Sequence, residues 1–170
     1  MPLVLYQNSQ FDNDLNLNYY ISRSIDPNEK FRYKNFKGKR KTLIFRHCDI
    51  DFSKTLVLTE GVFDLVHCPD NSTCILGSWL SEDYVLFQEI VKNKTPVILC
   101  FDPDARDKTL KVAKKLYEYC IDVKITNNLN ADFGDMSKEE ANYYISSAKP
   151  YDNASRITYL LSEIRSGSIF

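Results

Sequence analysis

Two short apolar runs, each ending in carboxylates and lying about 40 residues apart, constrain this chain more than any other feature. The first runs Thr55-Leu56-Val57-Leu58-Thr59 into Glu60-Gly61-Val62-Phe63-Asp64. The second runs Pro96-Val97-Ile98-Leu99-Cys100-Phe101 into Asp102-Pro103-Asp104. Each has strand length and is too short for a typical helix. Helical spacing follows over 81–92, with Ser81 as cap and Tyr84, Val85, Gln88 and Val91 near one face. It returns over 108–119, through Leu110, Val112, Ala113, Leu116 and Tyr117. Further strands are expected over 73–76 and 122–125. Such strand–helix alternation implies parallel strands joined by right-handed crossovers. Sheets of this kind place their ligands beyond the carboxyl ends of the strands.

The residue types at those ends suit a cation. Glu60 terminates an apolar strand, where a buried carboxylate without a partner would be costly. It must face a cation, a basic group or water. Gly61 allows close backbone approach. Asp64 falls in a short helix expected over 62–66, as a metal ligand, as the group that orients a metal-bound water, or as a stabiliser of the helix N-terminus. Pro103 restrains Asp102 to extended backbone. If the chain stays extended, Asp102 and Asp104 point the same way; alone, Asp-Pro-Asp also reads as a turn and a helix cap. Asp132 and Asp135 either complete the acidic set or form a polar turn before a helix over 137–147. That helix opens on Ser137-Lys138-Glu139-Glu140, a capping-box pattern. A set of this kind fits Mg²⁺ or Mn²⁺, because Mg²⁺ takes oxygen ligands and often needs only one or two carboxylates beside phosphate.

Charge is distributed unevenly. Over residues 22–46 nine basic side chains meet only Asp26 and Glu29, so that segment is +7 within a chain of net charge −1. A cationic face beside an anionic one suggests phosphate binding next to cation binding. The alternative is a solvated loop, but Tyr33, Phe36, Ile44 and Phe45 interleave with the charges and favour an ordered segment. Upstream, 1–5 reads as a short strand, 8–18 as a loop and 17–25 as the start of a strand; 42–46 is a strand or a helix start. A last helix is expected over 155–166, with Ile157, Leu160, Leu161 and Ile164 on one face and Gly167 as its stop. No apolar window approaches the ~18 residues of a membrane span. The five cysteines are scattered without a Cys-x-x-Cys, so no zinc site is expected and a reducing cytoplasm fits.

Glu60-Gly61 with Asp64, then Asp102-x-Asp104, resembles the Toprim signature, and the surroundings resemble DnaG-type DNA primases, particularly phage ones. Leu76-Gly77-Ser78 is similar to their Leu-Gly-small turn, and Asp132 to Met136 to their third acidic cluster. Phe31 to Asn35 and Lys39 to Phe45 resemble the basic stretch before Toprim in the primase core, and Tyr20-Ile21-Ser22-Arg23 its arginine-bearing strand. The resemblance covers roughly residues 18–136. It implies an α/β Toprim fold: a mainly parallel four-stranded sheet flanked by helices (50–136), a small basic N-terminal α+β subdomain (1–49) and a C-terminal helical segment (137–170). It implies a primase that joins ribonucleoside triphosphates into RNA primers on single-stranded DNA, in the cytoplasm (the host's, if phage-encoded). Glu60, Asp102 and Asp104 would be catalytic, with Asp64, Asp132 and Asp135 joining them on metal. Arg23, Arg32, Lys39, Arg40, Lys41 and Arg46 would contact template, primer or triphosphate. Initiation and unwinding would fall to a separate zinc-binding subunit and a replicative helicase, with no membrane partner. A Toprim nuclease and a non-catalytic nucleic-acid-binding Toprim module remain the alternatives. The family's Gly after Asp-x-Asp is absent, and Ala105-Arg106-Asp107-Lys108 stands there, making Arg106 and Lys108 candidate phosphate ligands.

Overall fold

The computed structural model describes residues 3–5, 10–11, 17–24, 26, 30, 33–35, 40–77, 79–127 and 131–165. The N-terminal part is antiparallel. Strands β1 (Leu3–Leu5), β4 (Ile21–Ser24) and β5 (Tyr33–Asn35) form one sheet with β4 central, while β2 (Gln10–Phe11) and β3 (Leu17–Tyr19) form a separate pair. The strand expected from residue 17 is thus two short strands serving different sheets. The segment 42–46 is neither strand nor helix. Arg40–Thr42 is a 3₁₀ turn, after which Ile44 and Phe45 are both buried, in two different apolar clusters. Neighbouring side chains of an extended peptide point opposite ways, so this connector joins both clusters without a partner strand.

The second sheet holds β6 (Leu56–Thr59), β7 (Ser72–Cys74), β8 (Val97–Cys100), β9 (Val123–Ile125) and β10 (Lys149–Pro150), in the order β10-β9-β8-β6-β7. The first four are parallel, as expected, and β6 registers Thr59 against Cys100 of β8. The fifth strand, β10, runs antiparallel on β9 and was not legible in the sequence. An edge position suits Pro150, which has no N–H to give to a further neighbour. All of β6 is buried because both faces are covered. Leu56 and Leu58 pack toward α1 (Val85–Asn93) and α2 (Arg106–Glu118). Val57 and Cys100 pack on the other face against Phe133, Met136 and Ala141, the last from α3 (Lys138–Ser146).

Helix α1 begins four residues later than expected, at Val85 after an extended Tyr84. Ser81 does not cap it: its hydroxyl donates to Asp83 Oδ1, and the Ser81 carbonyl closes a turn by accepting from Tyr84 N–H. The fully buried face is Leu86, Phe87 and Ile90, with Tyr84, Val85 and Val91 only partly covered. The capping box of α3 is present: Ser137 Oγ accepts from Glu140 N–H at 3.2 Å, and Glu140 Oε2 accepts from Ser137 N–H at 2.8 Å. Helix α4 (Asn153–Arg165) leaves Ile157 and Leu161 of its expected apolar face exposed. Among the described residues no helix is long and apolar enough to cross a membrane.

Candidate active site

The chain leaves β6 toward β7 on one side and returns as β8 on the other, which makes the β6/β8 boundary the switch point of the sheet. Ligands of open α/β sheets bind at such a point. Glu60 follows the last residue of β6, and Asp102 stands two residues past the end of β8. Both line a cavity of about 530 Å³ there, together with Asp64, Asp132 and Asp135. Asp104 is outside its wall. Asp102 is extended (φ −63°, ψ 152°), as Pro103 requires, but Pro103–Ala105 then coils into a 3₁₀ turn closed by Ala105 N–H donating to the Asp102 carbonyl at 3.0 Å. The alternation that would align Asp102 with Asp104 is therefore lost.

The first acidic loop is pinned from below. Val62 and Leu65 are buried with Tyr19, Phe45, Cys74 and Leu76. That anchors the short helix expected there, which is of the 3₁₀ kind and runs over Phe63–His67. The third loop is pinned by Phe133, fully buried, and Met136. Asp64 ties the two loops together. Its Oδ2 accepts from Gly61 N–H at 2.9 Å, and Gly134 N–H also donates to the carboxylate. The approach is close enough that a Cβ on Gly61 would lie 3.2 Å from Asp64 Oδ2, and one on Gly134 3.2 Å from Oδ1. Asp64 thus has a structural role that its sequence setting did not reveal. Burial raises its carboxyl above the usual range, and the nearby Asp132 and Asp135 add to the shift.

Asp102 is in the least satisfied position. Its Oδ1 is buried and has no hydrogen-bond partner. Burial, then repulsion from Asp64, Asp132, Asp104 and Asp135, pushes its carboxyl up to about 7. A buried acceptor without a donor, among four like charges, is a place where a cation would be bound favourably. Among the described residues no three Asp, Glu, His or Cys side chains form a ready ligand cage. The donor set nevertheless fits Mg²⁺ or Mn²⁺: carboxylate oxygens only, one of them open, around a cavity with room for water and phosphate.

Among the described residues two cations reach the same cavity. Lys108, from the first turn of α2, forms an ion pair with Glu60 in which both side chains are largely covered. Arg40 also lines the cavity, and a Cβ on Gly77 would lie 3.7 Å from its Nη1. Lys41 instead pairs with Asp83, and Arg46 Nε donates to Asp49 Oδ2 at 3.2 Å, both outside the cavity wall. Arg32 and Lys39 lie outside the described residues, and of Arg23 only the β4 backbone is described. The sequence offered Lys108 as a phosphate ligand but held no sign of its pairing with Glu60. Tyr19 and Ile21 also line the wall, and nothing in their sequence setting distinguished them.

No protein-family model and no curated protein matches the sequence. Solved structures do. A primase from Aquifex aeolicus, containing zinc-binding and RNA polymerase domains, superposes with a TM-score of 0.68 at 18% identity, over 84% of this chain and 40% of that one. The DnaG catalytic core gives 0.64 at 16% identity, over 84% and 52%. The RNA polymerase domain of Mycobacterium tuberculosis primase DnaG in complex with double-stranded DNA gives 0.57 at 13% identity, again over 84% and 52%. The chain therefore spans about half or less of the length of these structures. The likeness is one of fold: this chain shares the fold of about half of a DnaG-type primase catalytic core, a Toprim-like α/β sheet with a small antiparallel N-terminal part.

Proposed function

We propose that this chain is a primase catalytic core that extends RNA on a single-stranded DNA template with ribonucleoside triphosphates. The observation that carries the reading is the buried, unpartnered oxygen of Asp102, a residue that lines a phosphate-sized cavity at the switch point of a primase-like fold. Asp102 and Glu60 would hold Mg²⁺ or Mn²⁺, with Asp132 and Asp135 of the same cavity able to serve a second ion. Asp104 adds negative charge from outside the wall. A bound ion would neutralise phosphate charge and favour the 3′-hydroxyl as nucleophile. The protein's own part is orientation. Arg40 reaches the cavity and offers a planar fork suited to phosphate oxygens. Arg23, Arg32, Lys39, Lys41 and Arg46 are assigned to the nucleic-acid backbone, where contacts position the strand without reading sequence.

The same reading assigns template recognition to a zinc-binding subunit and unwinding to a replicative helicase, in the cytoplasm. A primed single-stranded template, labelled ribonucleotides and Mg²⁺ or Mn²⁺ make the test. Wild-type protein should lengthen the primer, and Asp102→Asn should not while keeping its circular dichroism. Shortening of the DNA in place of extension would identify a Toprim nuclease. Binding without either reaction would identify a non-catalytic module.

A further inference from the structure

Among the carboxylates of the cavity only Glu60 is held by a cationic side chain of the described residues. Asp64 is occupied by backbone N–H groups of Gly61 and Gly134, and Asp102 keeps an open oxygen. Glu60 Oε1 is in direct contact with Lys108 Nζ. This is not a solvated surface pair: the two side chains are 18% and 22% exposed. Lys108 Nζ also lies 5.7 Å from the centre of the Phe101 ring, which is itself buried. Two consequences follow from charge alone. A divalent ion cannot use Glu60 Oε1 while the ammonium is on it, since the two cations would compete for one oxygen. An ammonium released from Glu60 would then stand partly desolvated beside a cavity able to hold a phosphate chain, and it would need an anionic partner.

We propose that Lys108 is a positioning residue that couples metal binding to nucleotide binding: it holds Glu60 until a divalent ion and a triphosphate arrive together, then transfers its charge to the triphosphate. Glu60 passes to the ion, and no bond is made or broken apart from these contacts. The proposal rests on the cavity being a metal–triphosphate site. It goes further in assigning the occupancy of Glu60 before loading, and it makes metal and nucleotide bind cooperatively. By linkage, each then raises the affinity for the other by the same factor, typically five- to 150-fold, or about 1–3 kcal/mol.

The test uses the whole chain, Mn²⁺ followed by electron paramagnetic resonance, and a ribonucleoside triphosphate whose α–β bridging oxygen is replaced by methylene, so that no reaction occurs. Mn²⁺ held by the nucleotide alone is measured without protein and subtracted. Lys108→Met keeps the stem on Phe101 and removes the charge; Lys108→Arg keeps the charge. The Met variant should bind Mn²⁺ alone on the order of tenfold more tightly than wild type, and the nucleotide should improve that affinity by a smaller factor than in wild type. The Arg variant should keep the wild-type coupling. Unchanged Mn²⁺ affinity and unchanged coupling in a folded Met variant would overturn the proposal and leave the metal–triphosphate reading standing. Absence of Mn²⁺ and triphosphate binding in folded wild-type protein would overturn both.

Discussion

Asp102 makes the cost of the site measurable. In the folded chain it keeps its proton up to about 7, whereas in the unfolded chain it releases it near the ordinary 3.8. Between those values the folded state binds more protons, so the metal-free protein should lose stability as pH rises from about 4 to 7. Denaturant titrations in chelator across that window should show the decline, and Asp102→Asn should flatten it and be the more stable protein at pH 8. A second residue-scale prediction concerns the Asp64 clamp. A Cβ at Gly134 would sit 3.2 Å from Asp64 Oδ1 and 3.5 Å from the Phe63 carbonyl, and Asp64 cannot retreat without releasing Gly61. Gly134→Ala should therefore destabilise by about 1 kcal/mol, the crowding outweighing the entropic gain of replacing Gly, as read from the urea midpoint. Asp64 was legible as an acidic site residue. Its bond to Gly134, seventy positions along, was not, because it exists only where two loops meet.

At the scale of elements, helix ends show what local sequence can and cannot dictate. Helix α3 starts where its Ser-x-x-Glu pattern says, because both partners of the box lie within one turn. Helix α1 does not start at Ser81, because Asp83 takes the Ser81 hydroxyl and burial of Leu86, Phe87 and Ile90 sets the helix one step round. Helix α2 ends at Glu118, and just past its C-cap Tyr119 the exposed Cys120 stands in the left-handed region, φ 59°. An L side chain is strained there and glycine is not. Cys120→Gly should stabilise the protein by about 1 kcal/mol and raise Tm by about 2–4 °C in calorimetry.

At the scale of the whole molecule, Arg40, from the stretch of sequence 22–46 that carries a charge of +7, reaches the wall of an acidic cavity. If Arg23, Arg32 and Lys39 meet a single strand, replacing all three by Ala should weaken DNA binding and lower the salt slope by about 2, since fewer counterions are released. An unchanged slope would make the segment a solvated loop. Primer extension should also exceed initiation in the isolated chain, because a paired primer already holds its 3′-hydroxyl in place. Adding a cognate zinc-binding subunit should raise initiation far more than extension; efficient, template-specific initiation by this chain alone would count against the division of labour.

The apolar runs before Glu60 and Asp102, the spacing of α2 and the capping box of α3 were enough to specify parallel strands with carboxylates at their ends, since each signal is contained in a few consecutive residues. Tertiary structure alone decided that Lys149–Pro150 would close the sheet edge and that Asp102 would line the cavity while Asp104 stayed outside its wall. It also decided that Lys108 would meet Glu60, 48 positions away. Those outcomes depend on where separate strand ends converge once both faces of β6 are covered, and hydrophobic burial sets that convergence without direction from any local pattern.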